Sequence, residues 1–393
     1  MLLRLVRPNW DCIGVGLLVL CFNILVAFSG IVVTAGGNDQ ASFHMRSVHQ
    51  ALGMLPFVDI SALHTATGPL YHVVVAIASW MLSANEVGIQ ILGSMFSVVL
   101  AVYVTYLSRS ISTVSLRFLA VSPLVFSAYF WQSSLWMMTD NAAVLFFLLG
   151  INLLVTYYPK LARDLVGGLF LGLAIATRQS YAWVLLPVFY VNFVILRRGG
   201  SIPHRFLSLA SWCLPGVAVL LYLISSWGGL TPSAMRGFNN NGLSPSALSY
   251  AYALSLMFFL PILLSVWSSL RSTLSSKIGV SCLVFGVCAA LPAAVFESAP
   301  TERPNDARRG GLLWTVLSKL PVIEGRSLVL IVLSFAGGVV LTSVGVILQK
   351  ELGNLVAVSV PALAVSATFG SQLYQKYFEL PLAGLAVISI ISC

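Results

Sequence analysis

The sequence predicts an all-α polytopic membrane protein, and two observations lead to this fold class. Hydrophobic residues make up 58% of the 393 positions and charged residues only 8%, whereas soluble domains carry roughly 25% charged residues. The apolar residues are also gathered into long runs, and a backbone in lipid must satisfy its own hydrogen bonds, as a helix does. The chain is therefore expected to cross a membrane many times.

The same composition and the short motifs argue against several soluble classes. The six cysteines lie inside or at the ends of apolar runs and show no CxxC spacing, which argues against a disulfide framework and a zinc site. A Walker loop, a GxGxxG turn after a strand and an HExxH helix are all missing from the sequence. Nucleotide, dinucleotide and zinc-protease chemistry therefore lack their usual residues.

The first element is a span near the N-terminus. An apolar run from Cys12 to Val33 is about long enough to cross a ~30 Å hydrocarbon core, and no A-x-A-like cleavage site follows it, so we expect it to be retained. Arg4 and Arg7 precede the run and place the N-terminus in the cytoplasm by the positive-inside rule. The polar segment after the run is then on the outer side, in the periplasm or the ER lumen.

The rest of the chain continues this pattern of apolar runs. They lie near 88–107, 117–131, 140–157, 165–177, 181–196, 206–227, 247–269, 278–296, 328–348, 353–370 and 379–393. Together with the first run they predict about twelve transmembrane helices.

One further run, 67–82, is predicted not to cross. If it stays outside, 12 of the 21 Lys and Arg residues face the cytoplasm with three of the 12 acids. Nine basic and nine acidic residues then remain on the outer side. If the run crosses, every later basic connector moves outside, against the positive-inside rule. We therefore predict non-spanning outer-face helices in the first outer loop and in a late one.

Two outer loops are longer than connectors need to be. The first runs from Ala35 to Val87, and loops of this length are usually functional. The second runs from Glu297 to Arg326 and includes a stretch, 310–319, with the pattern of a short amphipathic helix lying in the interface. A solvated linker without a catalytic part is the alternative for this second loop. The segment 36–46 of the first loop is predicted to be the catalytic edge.

Polar residues from several loops are predicted to meet at the outer face, where they suit a lipid-borne sugar donor. Asp39 is the candidate general base, which takes a proton from an attacking hydroxyl. The departing lipid phosphate needs cations placed in advance, and the candidates at outer span ends are Arg178, Arg236 and Lys376. Residues predicted to contact the donor or acceptor sugar are Gln40, His44, Asp59, His64, Asp140, Gln179, Tyr374 and Glu379.

Several of these residues also suit a purely structural role. Arg178 interrupts an apolar stretch, where a charge costs at least ~2.5 kcal/mol, so it needs either an anion or a carboxylate partner. Asp59 equally suits the cap of a short helix, and Asp140 the start of the helix dipole. Tyr129, Trp131 and Trp136 fit an aromatic belt. The loop histidines have no zinc spacing and are interpreted as interfacial or acceptor-binding; they are His44, His49, His64 and His72.

Four motifs resemble those of a known family. They are Asp39-Gln40 followed by Phe43-His44, the stretch Thr65-Ala-Thr-Gly68-Pro69-Leu-Tyr71, Arg178-Gln179-Ser180, and Gly228-Gly229-Leu230. This order is similar to that of the dolichyl-phosphate-glucose-dependent alpha-1,2-glucosyltransferases of the GT-C superfamily. The resemblance covers about residues 10–260, and a segment at 372–379 lies where a late outer loop is expected.

The resemblance implies a GT-C-like fold, a polyprenyl-phosphate sugar donor and an inverting transfer that needs no metal or other cofactor. Asp39 matches the first acid of the family's acid pair and inherits the role of general base. Arg178 and Gln179 inherit positions near the donor. The second acid of the pair is replaced by Gln40, so a mechanism with a single base is expected.

The predicted function is thus a membrane glycosyltransferase that moves a sugar, glucose by resemblance, to an oligosaccharide or glucan acceptor, with no nucleic-acid partner. The chain is treated as one transmembrane domain, 1–393, with a module at 10–230 and more variable helices at 231–393. A bacterial inner-membrane enzyme using undecaprenyl phosphate is favoured over an ER enzyme, because the chain is short for the eukaryotic family. A transporter or flippase of lipid-linked glycan is the alternative, but such proteins normally show repeats and midplane polar residues, which we do not find.

Overall fold

A computed structural model gives the fold and describes residues 10–31, 34–111, 113–155, 161–196, 202–236, 242–265, 267–299, 309–348, 350–369 and 373–391. The helices are α1 (Trp10–Ser29), α2 (Ala35–Asp39), α3 (Met45–Gly53), α4 (Leu70–Leu82), α5 (Glu86–Ser108), α6 (Val114–Val125), α7 (Ala128–Leu135), α8 (Asp140–Val155), α9 (Leu161–Thr177), α10 (Leu185–Leu196), α11 (Ile202–Trp227), α12 (Ser246–Ser265), α13 (Trp267–Leu274), α14 (Lys277–Val295), α15 (Leu312–Leu317), α16 (Leu328–Ile347), α17 (Lys350–Thr368) and α18 (Lys376–Ile391). Shorter elements are a π-helical turn (Gln40–His44), 3-10 turns (Ile60–Ala62, Gln179–Val184, Ser233–Met235) and strands β1 (Arg309–Gly310), β2 (Val322–Ile323), β3 (Arg326–Ser327) and β4 (Leu373–Tyr374).

The chain is a multi-pass membrane protein by the length and composition of its helices. Among the described residues, six helices are long and apolar enough to cross a membrane, or seven if α6 and α7 form one bent span. The six are α1, α5, α11, α14, α16 and α17. The predicted count of about twelve is not confirmed, because several apolar helices are short. α8 and α18, for example, have 16 residues each and are only about 24 Å long.

The apolar run near 117–131 is divided into two helices. The axes of α6 and α7 differ by 58°. Ser127 lies between them, and its Oγ accepts hydrogen bonds from the backbone N–H groups of Tyr129 and Phe130. A serine that accepts amide protons in this way begins a new helix and does not continue the previous one.

The helix α4 covers most of the 67–82 run. The helix after it, α5, runs in the direction opposite to α1. Asp11 at the start of α1 forms an ion pair with Arg109, just after α5, at 3.6 Å. The two helices also pack along each other. The start of α1 and the end of α5 therefore lie on the same side of the molecule. This agrees with the prediction that the 67–82 run does not cross.

The all-α prediction needs a small correction in the late loop. β1 pairs with β4 in parallel and β2 pairs with β3 antiparallel, each over two residues. The predicted interfacial helix is α15, but its Trp314 is 2% exposed, stacks on Tyr250 and donates from Nε1 to the Leu373 carbonyl. One face of α15 therefore packs into the protein, while Leu312 and Val316 on its other face are exposed. Its position in the membrane interface stays a prediction.

The helix α18 lies at the centre of the fold. It packs against α6, α8 and α12, and residues 378–390 are all buried. The helices of the 231–393 region, predicted to be the more variable part, thus supply an element around which the earlier helices are arranged. The first turn of α18 faces the loops that follow α1 and α9, which positions the site described next.

Candidate active site

The segment after α1 holds Asp39 at the end of a supported helix. Thr34 caps α2, and its Oγ1 accepts a hydrogen bond from Gly37 N at 2.9 Å. Gly36 lies against the indole of Trp136, where any Cβ would overlap the ring. Trp136 is only 8% exposed, so it supports α2 and does not belong to the predicted aromatic belt. Asp39 is the last residue of α2, directly before the π-helical turn, a feature frequent at functional sites.

Asp39 meets a cation from the far end of the chain. Its Oδ2 lies 4.0 Å from Nζ of Lys376, the first residue of α18. The two side chains are 43% and 19% exposed, so both charges remain accessible to a ligand. An ion pair this exposed contributes at most about 1 kcal/mol to stability.

Tyr377 connects Lys376 to a buried ion pair. The centroid of its ring lies 5.9 Å from Lys376 Nζ and 4.8 Å from the guanidinium carbon of Arg178. Arg178 Nη1 in turn lies 2.5 Å from Asp140 Oδ1, with both side chains 10% exposed or less. The structure thus gives Arg178 the carboxylate partner that was the alternative to an anion. Asp140 is 5% exposed and pairs with Arg178, and its predicted contact with a sugar stays a prediction.

Gln179 joins two loops that carry motifs of the family resemblance. Its Nε2 donates to the Ala66 carbonyl at 2.7 Å and to the Leu230 carbonyl at 2.9 Å. Gly68 packs so closely on the end of α9 that a Cβ would overlap the Ala176 carbonyl oxygen. Three of the four motifs therefore contact one another. The amide nitrogen of Gln179, predicted to contact a sugar, is used to hold these loops together.

Arg236, predicted to bind the donor phosphate, is engaged by the end of α11. Its Nη2 donates to the Trp227 carbonyl at 2.7 Å and its Nε to the Thr231 carbonyl at 3.3 Å. Cationic side chains commonly satisfy the last carbonyls of a helix in this way. Within the described ranges, Arg236 forms no ion pair with the acids of the site.

Glu379, predicted to contact a sugar, is buried in a polar network. It is 5% exposed, and its carboxylate accepts hydrogen bonds from Ser127 Oγ and from Gln375 Nε2, the latter at 2.5 Å. Gln375 Oε1 accepts from Leu313 N at 2.8 Å and from the Tyr250 hydroxyl at 3.3 Å. Both carboxylate oxygens thus have protein partners. The network fixes the first turn of α18 against α7, α12 and α15.

Two predicted sugar contacts do flank the Asp39–Lys376 pair. Gln40 follows Asp39, and its Oε1 is buried with no hydrogen-bond partner among the described residues. The Tyr374 ring centroid lies 5.7 Å from Lys376 Nζ, and the ring meets Tyr377 edge to face at 5.6 Å. An orphaned amide oxygen and a partly exposed phenol therefore border the two charges.

His44 lies behind this pair and is paired with another histidine. Its Nδ1 lies 3.0 Å from Nε2 of His72, and the two rings are stacked with 9° between their planes. Burial, with smaller contributions from the charges of Lys376 and Arg178, lowers the pKa of His44 to about 3. His44 is therefore neutral at pH 7 and buried, and its predicted contact with a sugar stays a prediction.

Asp59 and His64 occupy a different part of the first outer loop. Asp59 caps the 3-10 turn 60–62, and its Oδ1 accepts hydrogen bonds from Ser61 Oγ at 2.7 Å and Ser61 N at 2.9 Å. These hydrogen bonds lower the pKa of the Asp59 carboxyl. The His64 ring stacks on Phe43, with centroids 5.9 Å apart. Asp59 thus has the capping role that was its alternative, and neither residue forms an ion pair with Lys376 in the described structure.

Sequence reasoning missed three residues that organise the site, namely Ser127, Gln375 and Tyr377. The last two belong to the polar segment that precedes the final apolar run, which is the signal that could have found them. Ser127 sits inside an apolar run and gives no such signal. Gln372 lies outside the described residues. Among the residues that the structure describes, no group of three His, Cys, Asp or Glu side chains is placed to hold a metal ion.

Comparison with known proteins gives one remote likeness. No protein-family model and no curated protein matches the chain. Among solved structures it is similar to the archaeal oligosaccharyltransferase AglB from Archaeoglobus fulgidus in complex with an inhibitory peptide and a dolichol-phosphate, at 14% identity and a TM-score of 0.39. The match covers 96% of this chain and 50% of that chain, so this chain spans half the length of that protein. A likeness this remote carries no argument about function, and the resemblance to alpha-1,2-glucosyltransferases remains a prediction.

Proposed function

We propose that this protein is a membrane glycosyltransferase that transfers a sugar from a polyprenyl-phosphate donor to a hydroxyl group of a glycan acceptor. The observation that supports this most directly is the Asp39–Lys376 pair, an accessible carboxylate and an accessible ammonium 4.0 Å apart. Asp39 lies in the segment that follows the first candidate span, and we propose that a lipid-borne phosphate reaches it there from the bilayer. One base and one phosphate-binding cation are the two charges that this transfer needs.

Asp39 is assigned the role of general base. Its carboxylate accepts the proton of the acceptor hydroxyl while the hydroxyl oxygen attacks the anomeric carbon of the donor sugar. The bond from that carbon to the phosphate oxygen breaks, and the lipid phosphate leaves with the electron pair. Attack and departure on opposite faces invert the anomeric configuration. A positioned base contributes a factor of about 10² to 10⁴ to the rate of such a step.

Lys376 is assigned to the leaving phosphate, whose negative charge grows as the bond breaks. Arg178 and Arg236, the other cations proposed from the sequence, have protein partners, so the phosphate is assigned to Lys376 first. Arg178 supports Lys376 through the ring of Tyr377. Glucose as the sugar, the independence from metals and a bacterial membrane come from the family resemblance and belong to the proposal.

The test is transfer of glucose from polyprenyl-phosphate-glucose by the full chain in liposomes, with Asp39→Asn as the variant. Asp59→Asn is the matched control, because it removes a carboxylate from the same loop while asparagine keeps the capping hydrogen bonds. We expect transfer to fall by about 10² to 10⁴ in Asp39→Asn, with donor binding kept, and to change little in the control.

Transfer at the wild-type rate by Asp39→Asn would remove the general base from the proposal. Movement of a lipid-linked glycan across the liposome membrane without any sugar transfer would instead favour the transporter alternative. The Lys376 role has its own test: Lys376→Ala should raise the KM for the donor, whereas Lys376→Arg, which keeps the charge, should raise it less.

A further inference from the structure

A groove lined by both polar and apolar side chains begins two residues after Asp39. It is an open cavity of about 650 Å³, a size within the range of known ligand sites. We call it the α3 groove; its lining residues are Ala41, Met45, Arg46, His49, Gln50 and Glu86. Ala41 lies in the π-helical turn, the next four residues lie in α3, and Glu86 begins α5.

The amphipathic pattern of α3 explains why these side chains face outward. Ser47, Val48 and Ala51 are buried on the opposite side of the helix, where Val48 and Ala51 belong to a core with residues of α4 and α5. Arg46 and His49 are exposed. Since residues three and four apart share a helix face, the buried set holds α3 in place and leaves a polar strip toward the groove.

The charged groups of the groove are not paired with each other. Arg46 and Glu86 line the same cavity, yet within the described ranges neither forms an ion pair. Gln50 is held by the His64 backbone N–H, which donates to its Oε1 at 2.8 Å. The groove therefore presents hydrogen-bond donors and an acceptor of opposite charge within one cavity.

We propose that the α3 groove binds the terminal sugar units of the acceptor glycan and presents a hydroxyl to Asp39; this assignment rests on the proposed function. Neutral, hydroxyl-rich sugars use donors and acceptors together, whereas Glu86 would repel a phosphate or an acidic peptide. Asp39 lies 4.0 Å from Lys376 and precedes the first residue of the groove by two positions, so the proposal assigns it the place between donor and acceptor. No residue of the groove takes part in the chemical step.

The experiment measures sugar binding and kinetics separately. Saturation-transfer NMR on the full chain in nanodiscs uses maltotriose, mannotriose and cellotriose as probes, with the variants Arg46→Ala and Glu86→Gln. Glu324→Gln is the control, because its carboxylate is 79% exposed in the late loop. We expect each groove variant to weaken probe binding, and to raise the acceptor KM, by roughly tenfold, with the donor KM and kcat unchanged.

Wild-type levels of binding and of acceptor KM in both groove variants would overturn the proposal, and so would failure of the wild type to bind any probe. Failure of the groove proposal can be distinguished from failure of the general-base proposal. If Asp39→Asn transfers sugar normally while the groove variants lose probe binding, the base is wrong and the groove stands. If Asp39→Asn abolishes transfer while the groove variants behave as wild type, the groove is wrong and the base stands.

Discussion

The hydrogen-bond network of Glu379 permits a test by exchange of two side chains. In the native arrangement Glu379 accepts from Ser127 and Gln375, and Gln375 accepts from Leu313 and Tyr250. In Glu379→Gln the new amide NH2 group faces either the NH2 group of Gln375 or the hydroxyl of Ser127. In both cases one of the two hydrogen bonds that the charged carboxylate accepted is lost. Such a bond contributes about 1.5 to 3 kcal/mol, and the same loss should loosen the first turn of α18.

The exchange Gln375→Glu with Glu379→Gln restores every bond. The new glutamate accepts from Leu313, Tyr250 and the new glutamine, whose oxygen accepts from Ser127. Gln375→Glu alone brings two carboxylates to within 2.5 Å in a buried place and should be the worst of the three variants. We expect the exchange variant to match the wild type in thermal stability and in the donor KM. Glu379→Gln should have a lower thermal stability and a higher KM, and Gln375→Glu the lowest stability and the highest KM.

Thermal unfolding in detergent and transfer kinetics measure this order. The KM is informative because Lys376 lies on the same helical turn, so a loosened turn should affect donor binding more than the total amount of folded protein. If the exchange is as impaired as Glu379→Gln, the carboxylate is needed at its own position and the positioning role is refuted.

Three further predictions concern residues around the site. Gly68→Ala should cost about 1 to 3 kcal/mol because a Cβ overlaps the end of α9, whereas Gly14→Ala, with nothing within 4 Å, should be tolerated; thermal midpoints of the two variants decide this. Arg178→Ala should cost about 3 to 5 kcal/mol by leaving Asp140 buried and unpaired, and adding Asp140→Ala should recover part of the loss; no recovery would deny the pairing. His44 is neutral down to about pH 3 when folded but takes up a proton near pH 6.5 when unfolded. Its contribution to stability should therefore be lost as pH drops below 6.5, by about 1.4 kcal/mol per unit, and His72, whose pKa is also lowered by burial, should add to the loss. The pH dependence should be weaker in His44→Gln than in the wild type, and equal pH profiles would contradict this.

The sequence predicts the helical membrane class and the neighbourhood of the site, because both follow from local patterns. Apolar runs give the helices, and the charge distribution puts the segments of Asp39 and Lys376 on one side. The partners of Arg178 and Glu379 could not be predicted in the same way. Each depends on which helices become neighbours, and the Ser127–Glu379 bond joins residues 252 positions apart.

The predicted span count is not confirmed, for a related reason. Hydropathy marks an apolar run but not its helical length, and a buried helix such as α18 need not face lipid at full thickness. For Gly68, by contrast, the structure explains a pattern that the sequence already showed. The motif that contains it was noted for its resemblance to a family, and the structure gives it a physical cause, since only a residue without Cβ fits against the end of α9.

The two charges of the candidate site come from α2, near the beginning of the described structure, and from α18, its last helix. Asp39 leaves the ribosome with the first helices, and Lys376 arrives only with α18. Until α18 is inserted, the proposed general base therefore lacks the cation proposed to bind the phosphate. The proposed site would then form only after α18 has joined the earlier helices.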